Sequence, residues 1–114
     1  MSTLLAPHKI GDSITWQINY KQSDNITPVN LTGYTIDVDA INRFDKSVLF
    51  NITSTGTDTN SYLIVNEVAG AFSVIVKDTS LFKAGTYEVD IEFTDSEGFK
   101  KSSKSFILSV VERL

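Results

Sequence analysis

Strict alternation of apolar and polar residues constrains this chain more than any other feature. Tyr87, Val89, Ile91 and Phe93 alternate with Thr86, Glu88, Asp90, Glu92 and Thr94. Successive side chains of a strand point to opposite faces, so this pattern predicts a strand with one buried and one wet face. The same period recurs at Ile14, Trp16, Ile18 and Tyr20, at Tyr34, Ile36, Val38 and Ala40, and at Val48, Phe50 and Ile52. It returns at Phe72, Val74 and Val76, and at Phe106, Leu108 and Val110. Tyr62 to Val65 is a short apolar run whose inward face the pattern does not assign. Composition agrees: Val, Ile and Thr supply 33 of the 114 residues, and branching at Cβ favours pleated surfaces over helices.

Between these segments lie turn signals, with Gly33, Gly56, Gly70, Gly85 and Gly98 all outside the alternating runs. Asp95-Ser96-Glu97-Gly98 reads as a hairpin turn, Gly98 supplying the residue with φ > 0. Asp78-Thr79-Ser80 reads as a helix start that Gly85 ends after about one turn. Pairing Thr94 with Phe99 across the hairpin sets Tyr87 opposite Phe106. It also turns Lys100, Ser102 and Lys104 inward, which predicts a bulge near Ser102 to Lys104 or a strand end projecting past the core. The expected architecture is all-β: an immunoglobulin-like β-sandwich of about seven antiparallel strands in two sheets. A small closed barrel is the alternative. Residues 1–114 form a single domain, with 1–8 flexible.

Composition excludes several chemistries. With no Cys there is no disulfide framework, thiol nucleophile or thiolate-bound zinc. His8 is the one histidine and lies in the N-terminal stretch, a poor place for a Ser–His–acid triad. No phosphate loop or EF-hand spacing occurs, so no enzymatic role and no cofactor or metal is expected. A net charge of −4 disfavours nucleic acid, and the basic cluster Lys100, Lys101 and Lys104 reads as solvated rim. No apolar run approaches the roughly 20 residues of a membrane helix. The first residues lack a basic n-region and a long apolar h-region, so no signal peptide is expected. The Asn-x-Thr sequons at Asn25, Asn30 and Asn51 are about what chance gives in so Ser- and Thr-rich a chain.

The outward carboxylates stand out. Asp37 and Asp39 share one face of their strand, and Glu88, Asp90 and Glu92 share one face of theirs. In a sandwich of this type those strands are neighbours, so all five would crowd one surface. That surface reads as a solvated face partly offset by Lys101 or Arg43, as a dock for a basic partner, or as a divalent-cation site, for which flat sheets rarely converge enough oxygens. Inward Trp16, Tyr20, Tyr34, Tyr87 and Phe93 read as core. Phe44, Phe82 and Phe99, at loop positions, are the candidates for exposed aromatic contacts with a glycan.

Motif order adds a family. The segment Leu81-Phe82-Lys83-Ala84-Gly85-Thr86-Tyr87 resembles the corner before strand F of immunoglobulin-like domains, where a Tyr hydroxyl bonds to upstream backbone. Val89 stands where antibody domains carry Cys, and Trp16 falls on an earlier strand than theirs. Lys9-Ile10-Gly11-Asp12-Ser13, Pro28-Val29-Asn30-Leu31-Thr32-Gly33, the strand from Tyr34 to Arg43, Ala69-Gly70-Ala71-Phe72, Leu81 to Tyr87 and Asp95 to Gly98 follow in order. In this order and spacing the chain, from about Lys9 to Glu112, is similar to the immunoglobulin-like domains of bacteriophage virions, typified by the N-terminal domain of the baseplate upper protein. Asn30 replaces a usual Asp and Ser13 a usual Thr. The resemblance implies a non-enzymatic tail, baseplate or capsid-accessory module, synthesised in the host cytoplasm and carried in the virion. It implies docking to other virion proteins and to copies of itself, with Trp16, Gly33, Gly85, Tyr87 and Gly98 structural. Tyr62–Val65 and Val48–Ile52 are the expected docking edges; the alternative is a glycan- or cell-surface-binding module.

Overall fold

The computed structural model describes residues 7–21, 27–102 and 105–112, and the backbone of 3 and 4. Among the described residues ten strands follow one another: β1 (Thr3–Leu4), β2 (His8–Lys9), β3 (Ile14–Asn19), β4 (Thr35–Asn42), β5 (Val48–Thr53), β6 (Ser61–Asn66), β7 (Ala71–Val76), β8 (Gly85–Thr94), β9 (Lys100–Ser102) and β10 (Phe106–Val111). All seven alternating or apolar segments are strands. Three short ones, β1, β2 and β9, lack any periodic signal because two or three residues cannot show a period.

The strands form two sheets. The larger runs β1-β10-β8-β4-β5, with β2 also on β10 and β9 also on β8; the smaller runs β3-β7-β6. β1 and β2 pair with β10 in parallel, and the other strand pairs are antiparallel. The inner faces of both sheets share one core. Ile14, Phe72, Val74 and Val76 from the smaller sheet meet Val38, Ala40, Val89, Ile91, Phe93 and Leu108 from the larger. Tyr20 stacks on Phe93 at 4.3 Å and Phe72 meets it edge-on at 6.1 Å, joining the two layers. Tyr87 and Phe93 are buried, whereas Trp16, Tyr20 and Tyr34 are half-buried and pack against the core from its rim. The period-two reading of β8 holds residue by residue, with Tyr87, Val89, Ile91 and Phe93 all at most 3% exposed.

Two local expectations are corrected. Thr94 pairs with Lys100, not Phe99, and Tyr87 with Leu108, not Phe106. Asp95 sets this register: its carboxylate accepts the N–H groups of Glu97 and Phe99, both at 2.9 Å, so the turn takes in Phe99. Lys100 and Ser102 therefore face outward, and Lys101 takes the parity of Phe93 yet stays exposed, because β9 extends past the core. Between Glu92↔Ser102 and Val89↔Phe106 the register moves by one residue. The bulge expected near Ser102 to Lys104 falls largely on residues 103 and 104, which lie outside the described residues, as does Lys104 as third member of the expected basic cluster.

The segment Asp78 to Ala84 is a turn, not a helix. Its one backbone bond is Phe82 N–H to the Thr79 carbonyl at 3.0 Å. Thr79 is fully buried and bonds elsewhere: its hydroxyl donates to the Asp12 carbonyl at 2.6 Å and accepts the Gly11 N–H at 2.9 Å. A residue committed to a distant loop cannot cap its own helix. This clamp seats the loop before β3, and His8 packs beside it against Phe82 at 6.2 Å between ring centroids. Of the N-terminal stretch expected to be flexible, residues 1, 2, 5 and 6 lie outside the described residues; Thr3–Leu4 and His8–Lys9 pair with β10.

Candidate functional site: the acidic face of the larger sheet

Antiparallel pairing of β4 and β8 assembles the carboxylates. Asp37 lies opposite Glu92, Asp39 opposite Asp90, and Ile41 opposite Glu88. Each of these residues alternates with a buried one, so core packing holds the five acids on the outer face. Like charges directly opposite repel, and the sheet offsets this with neutral donors. Asn51 of β5 donates from Nδ2 to Asp37 Oδ1 at 2.7 Å and also to Asp39. Ser105 donates to Asp90. Lys100 Nζ lies 3.7 Å from Glu92 Oε1. The expected offset from Lys101 is corrected: Lys100, one residue earlier in the shifted register, has the parity to reach the acids.

Burial first, then the charges of Asp39 and Glu92, push the Asp37 carboxyl above its ordinary value. The Asn51 hydrogen bond and Lys100 pull it back without cancelling that rise. Desolvation and like charge both disfavour the ionised form. At the opposite end, Ile41, Asn42, Arg43, Lys46, Glu88 and Asp90 line a shallow groove of about 360 Å³. Arg43 thus lies where the sequence placed an offsetting cation, beside two of the acids and together with Lys46, which sequence reasoning missed. Lys46 has a positive φ of 63°, and Asn42 builds the turn by accepting the N–H groups of Phe44 and Asp45.

The aromatic candidates do not converge. Phe44 is 84% exposed in the β4–β5 turn and Phe99 69% exposed in the β8–β9 turn. These turns lie at opposite ends of the ten-residue β8, about 30 Å apart. Phe82 is not an exposed contact: it is half-buried, stacked on Phe50 at 6.1 Å, and belongs to the core margin. Tyr87 Oη donates to the Lys83 carbonyl at 2.8 Å, and Gly33 and Gly98 have φ of 84° and 91°. Gly85 lies against Asn42, whose Nδ2 would be 3.1 Å from an added Cβ. Trp16 meets Phe50 at 6.2 Å between rings. Both expected docking segments, β5 and β6, are edge strands on the same flank.

Among the described residues no group of three or more His, Cys, Asp or Glu is placed to hold a metal ion. The arrangement is that of an all-β domain with one acidic sheet face. The family model for the BppU N-terminal domain, the N-terminal domain of the phage baseplate upper protein, matches residues 8–114, and the chain belongs to that family. None of the curated proteins matches it.

Proposed function

We propose that this chain is a non-enzymatic structural module of a phage baseplate that works by protein–protein docking, its acidic face meeting a basic surface of another virion protein. Family membership over residues 8–114 supplies the setting. The in-register acidic face supplies the docking chemistry, and it is the observation that carries the reading. A scaffold optimised for stability alone has no use for Asp37, Asp39, Asp90 and Glu92 in opposed pairs. A partner with Lys or Arg relieves that repulsion on binding, and such complementarity gives orientation and on-rate.

We read the fold as immunoglobulin-like. The order β10-β8-β4-β5 facing β3-β7-β6 corresponds to strands G-F-C-C′ facing B-E-D, and the Tyr87 corner supports the same reading. The N-terminal strands departing from this scheme pair with β10 instead of β3. Asp37→Asn, Asp90→Asn and Glu92→Gln combined keep the shape and remove three charges. Binding of the variant to baseplate proteins is expected to fall about tenfold or more at physiological salt, and wild-type binding to weaken as salt rises. Salt-independent binding, unchanged in the variant, would overturn the role of this face.

A further inference from the structure

Apolar exposure gathers at one end of the molecule. Among the described residues six large hydrophobic side chains are exposed, and three of them lie here: Phe44 in the β4–β5 turn, Val48 where β5 begins, and Leu81 in the turn before β8. Leu81 is 94% exposed and Val48 62%. Ser47, Val48, Leu49, Leu81, Lys83 and Tyr87 line one cleft of about 150 Å³. Scattered exposed hydrophobics need no explanation, whereas a group of them with a polar rim marks a contact surface. The rim here is cationic. Arg43 and Lys46 share the turn of Phe44, and Lys83 shares the cleft of Leu81. Among the described residues none of these three cations has a carboxylate within ion-pair distance.

The turn that carries Phe44 is firmly held. Asn42 Oδ1 accepts the N–H groups of Phe44 and Asp45, at 2.8 and 3.1 Å. Lys46 donates its N–H to the Asn42 carbonyl at 3.1 Å, and Arg43 donates its own to the Thr86 carbonyl at 3.0 Å. Asp45, the turn's own acid, is taken up by Ser47, whose N–H and hydroxyl it accepts at 2.9 and 2.7 Å. A backbone fixed in this way has little further ordering to lose on docking. Lys46 adds an independent sign. Its φ is positive, in the region where a turn that needs only its shape takes Gly or Asn. A lysine kept there holds a cation in place against backbone strain.

The complement of this end is on the same chain. The outer face of β4 and β8 presents the opposed pairs Asp39–Asp90 and Asp37–Glu92, about 6.8 Å apart along the strands. In the next row Ile41 and Ile107 flank Glu88, so the acids also have an apolar margin. We propose that the Phe44 end of one copy docks on the acidic face of a second copy, with Arg43, Lys46 and Lys83 meeting the carboxylates and Phe44 and Leu81 meeting the Ile41–Ile107 margin. Charge complementarity selects a second copy as occupant. One surface carries cations beside apolar side chains, the other carboxylates beside apolar side chains, and their contact relieves the repulsion among the acids. Since the end and the face are different surfaces, the contact is heterologous and continues from copy to copy as a ring or an open series. The inference rests on the acidic face being a docking surface. In an open series one such face stays uncovered for a different virion protein.

Mixing two variants tests the pairing of unlike surfaces. By sedimentation velocity at low salt, the wild-type chain is expected to pass from 12.6 kDa beyond twice that mass as its concentration rises to about 100 µM, and to return toward monomer as salt is added. An end variant, Arg43→Glu, Phe44→Ser and Lys46→Glu combined, and a face variant, Asp37→Asn, Asp90→Asn and Glu92→Gln combined, are each expected to stay monomeric with the circular dichroism of the wild type. Mixed in equal amounts they are expected to form a dimer and go no further, because each supplies the half the other lacks. Leu81→Ser, at an almost wholly exposed position outside the held turn, is expected to weaken the wild-type association by about tenfold. A wild-type chain still monomeric at about 100 µM, association undiminished in the end variant or in Leu81→Ser, or a mixture that forms no dimer would overturn the proposal. The end variant keeps its acidic face, so its binding to other baseplate proteins reports on the docking function separately.

Discussion

Single residues hold this fold at points where side chains meet backbone. Gly70 is the sharpest. Its φ is 64°, and an added Cβ would lie 2.5 Å from the Val29 carbonyl oxygen and 2.8 Å from that of Tyr20. Gly70→Ala therefore combines a left-handed backbone with a collision against two backbone segments that cannot yield. A loss of about 2 kcal/mol or more is expected, read as a fall in the urea midpoint. Thr79→Val removes the donor to the Asp12 carbonyl and the acceptor for the Gly11 N–H and puts a methyl in the buried place of the hydroxyl. The expected loss is about 1–3 kcal/mol by the same measurement. Both roles were hidden in the sequence. Gly70 reads as one more turn glycine and Thr79 as a helix cap, because each depends on a segment dozens of residues away. Asp37 works in the opposite sense. Its folded pKa lies above the unfolded value, so ionisation at neutral pH costs stability, and the cost disappears as pH falls through the folded pKa. Asp37→Asn is expected to raise stability by roughly 0.2–1 kcal/mol at pH 7 and by nothing below pH 3.8, as two denaturation curves would show. For His8, burial lowers the pKa. Its contribution to stability is full above the ordinary value of 6.5 and falls as pH drops from there toward the folded value.

At the scale of elements, periodicity was enough wherever a strand was long. β8 shows alternation over its whole length, and its neighbours β4 and β10 cover it on both sides. The adjacency of β4 and β8, and with it the gathering of the five acids, follows from fold class plus parity and was legible before any coordinates. Register was not. A turn that takes in Phe99 differs from one that stops before it by a single residue, and that residue reverses the faces of Lys100 and Lys101. The deciding contact, Asp95 with the Phe99 N–H, is a side-chain bond that no hydrophobic pattern encodes. The short β1, β2 and β9 are held by their partners and not by their own composition. Hydrogen exchange is expected to follow this division. Amides of β8 exchange slowest, with both neighbours formed, and those of the wholly exposed β9 exchange orders of magnitude faster. Equal protection of the two would contradict the hierarchy.

For the whole molecule, the distribution of charge says more than its sum. A net charge of −4 describes a mildly acidic domain, yet the larger sheet carries the opposed carboxylates while the strands of the smaller sheet carry no charge. In this two-sheet body the buried layer is common to both, and the outer faces differ in charge. Membership of the phage baseplate family gives that asymmetry a setting in the virion. The most direct measurement is quantitative mass spectrometry of purified particles of a phage encoding this chain, grown with the native sequence or with Asp37→Asn, Asp90→Asn and Glu92→Gln combined. The account predicts the native chain in fixed proportion to the other baseplate proteins and the folded variant strongly depleted. Particles that lack the native chain, or that retain the variant in full proportion, would contradict it.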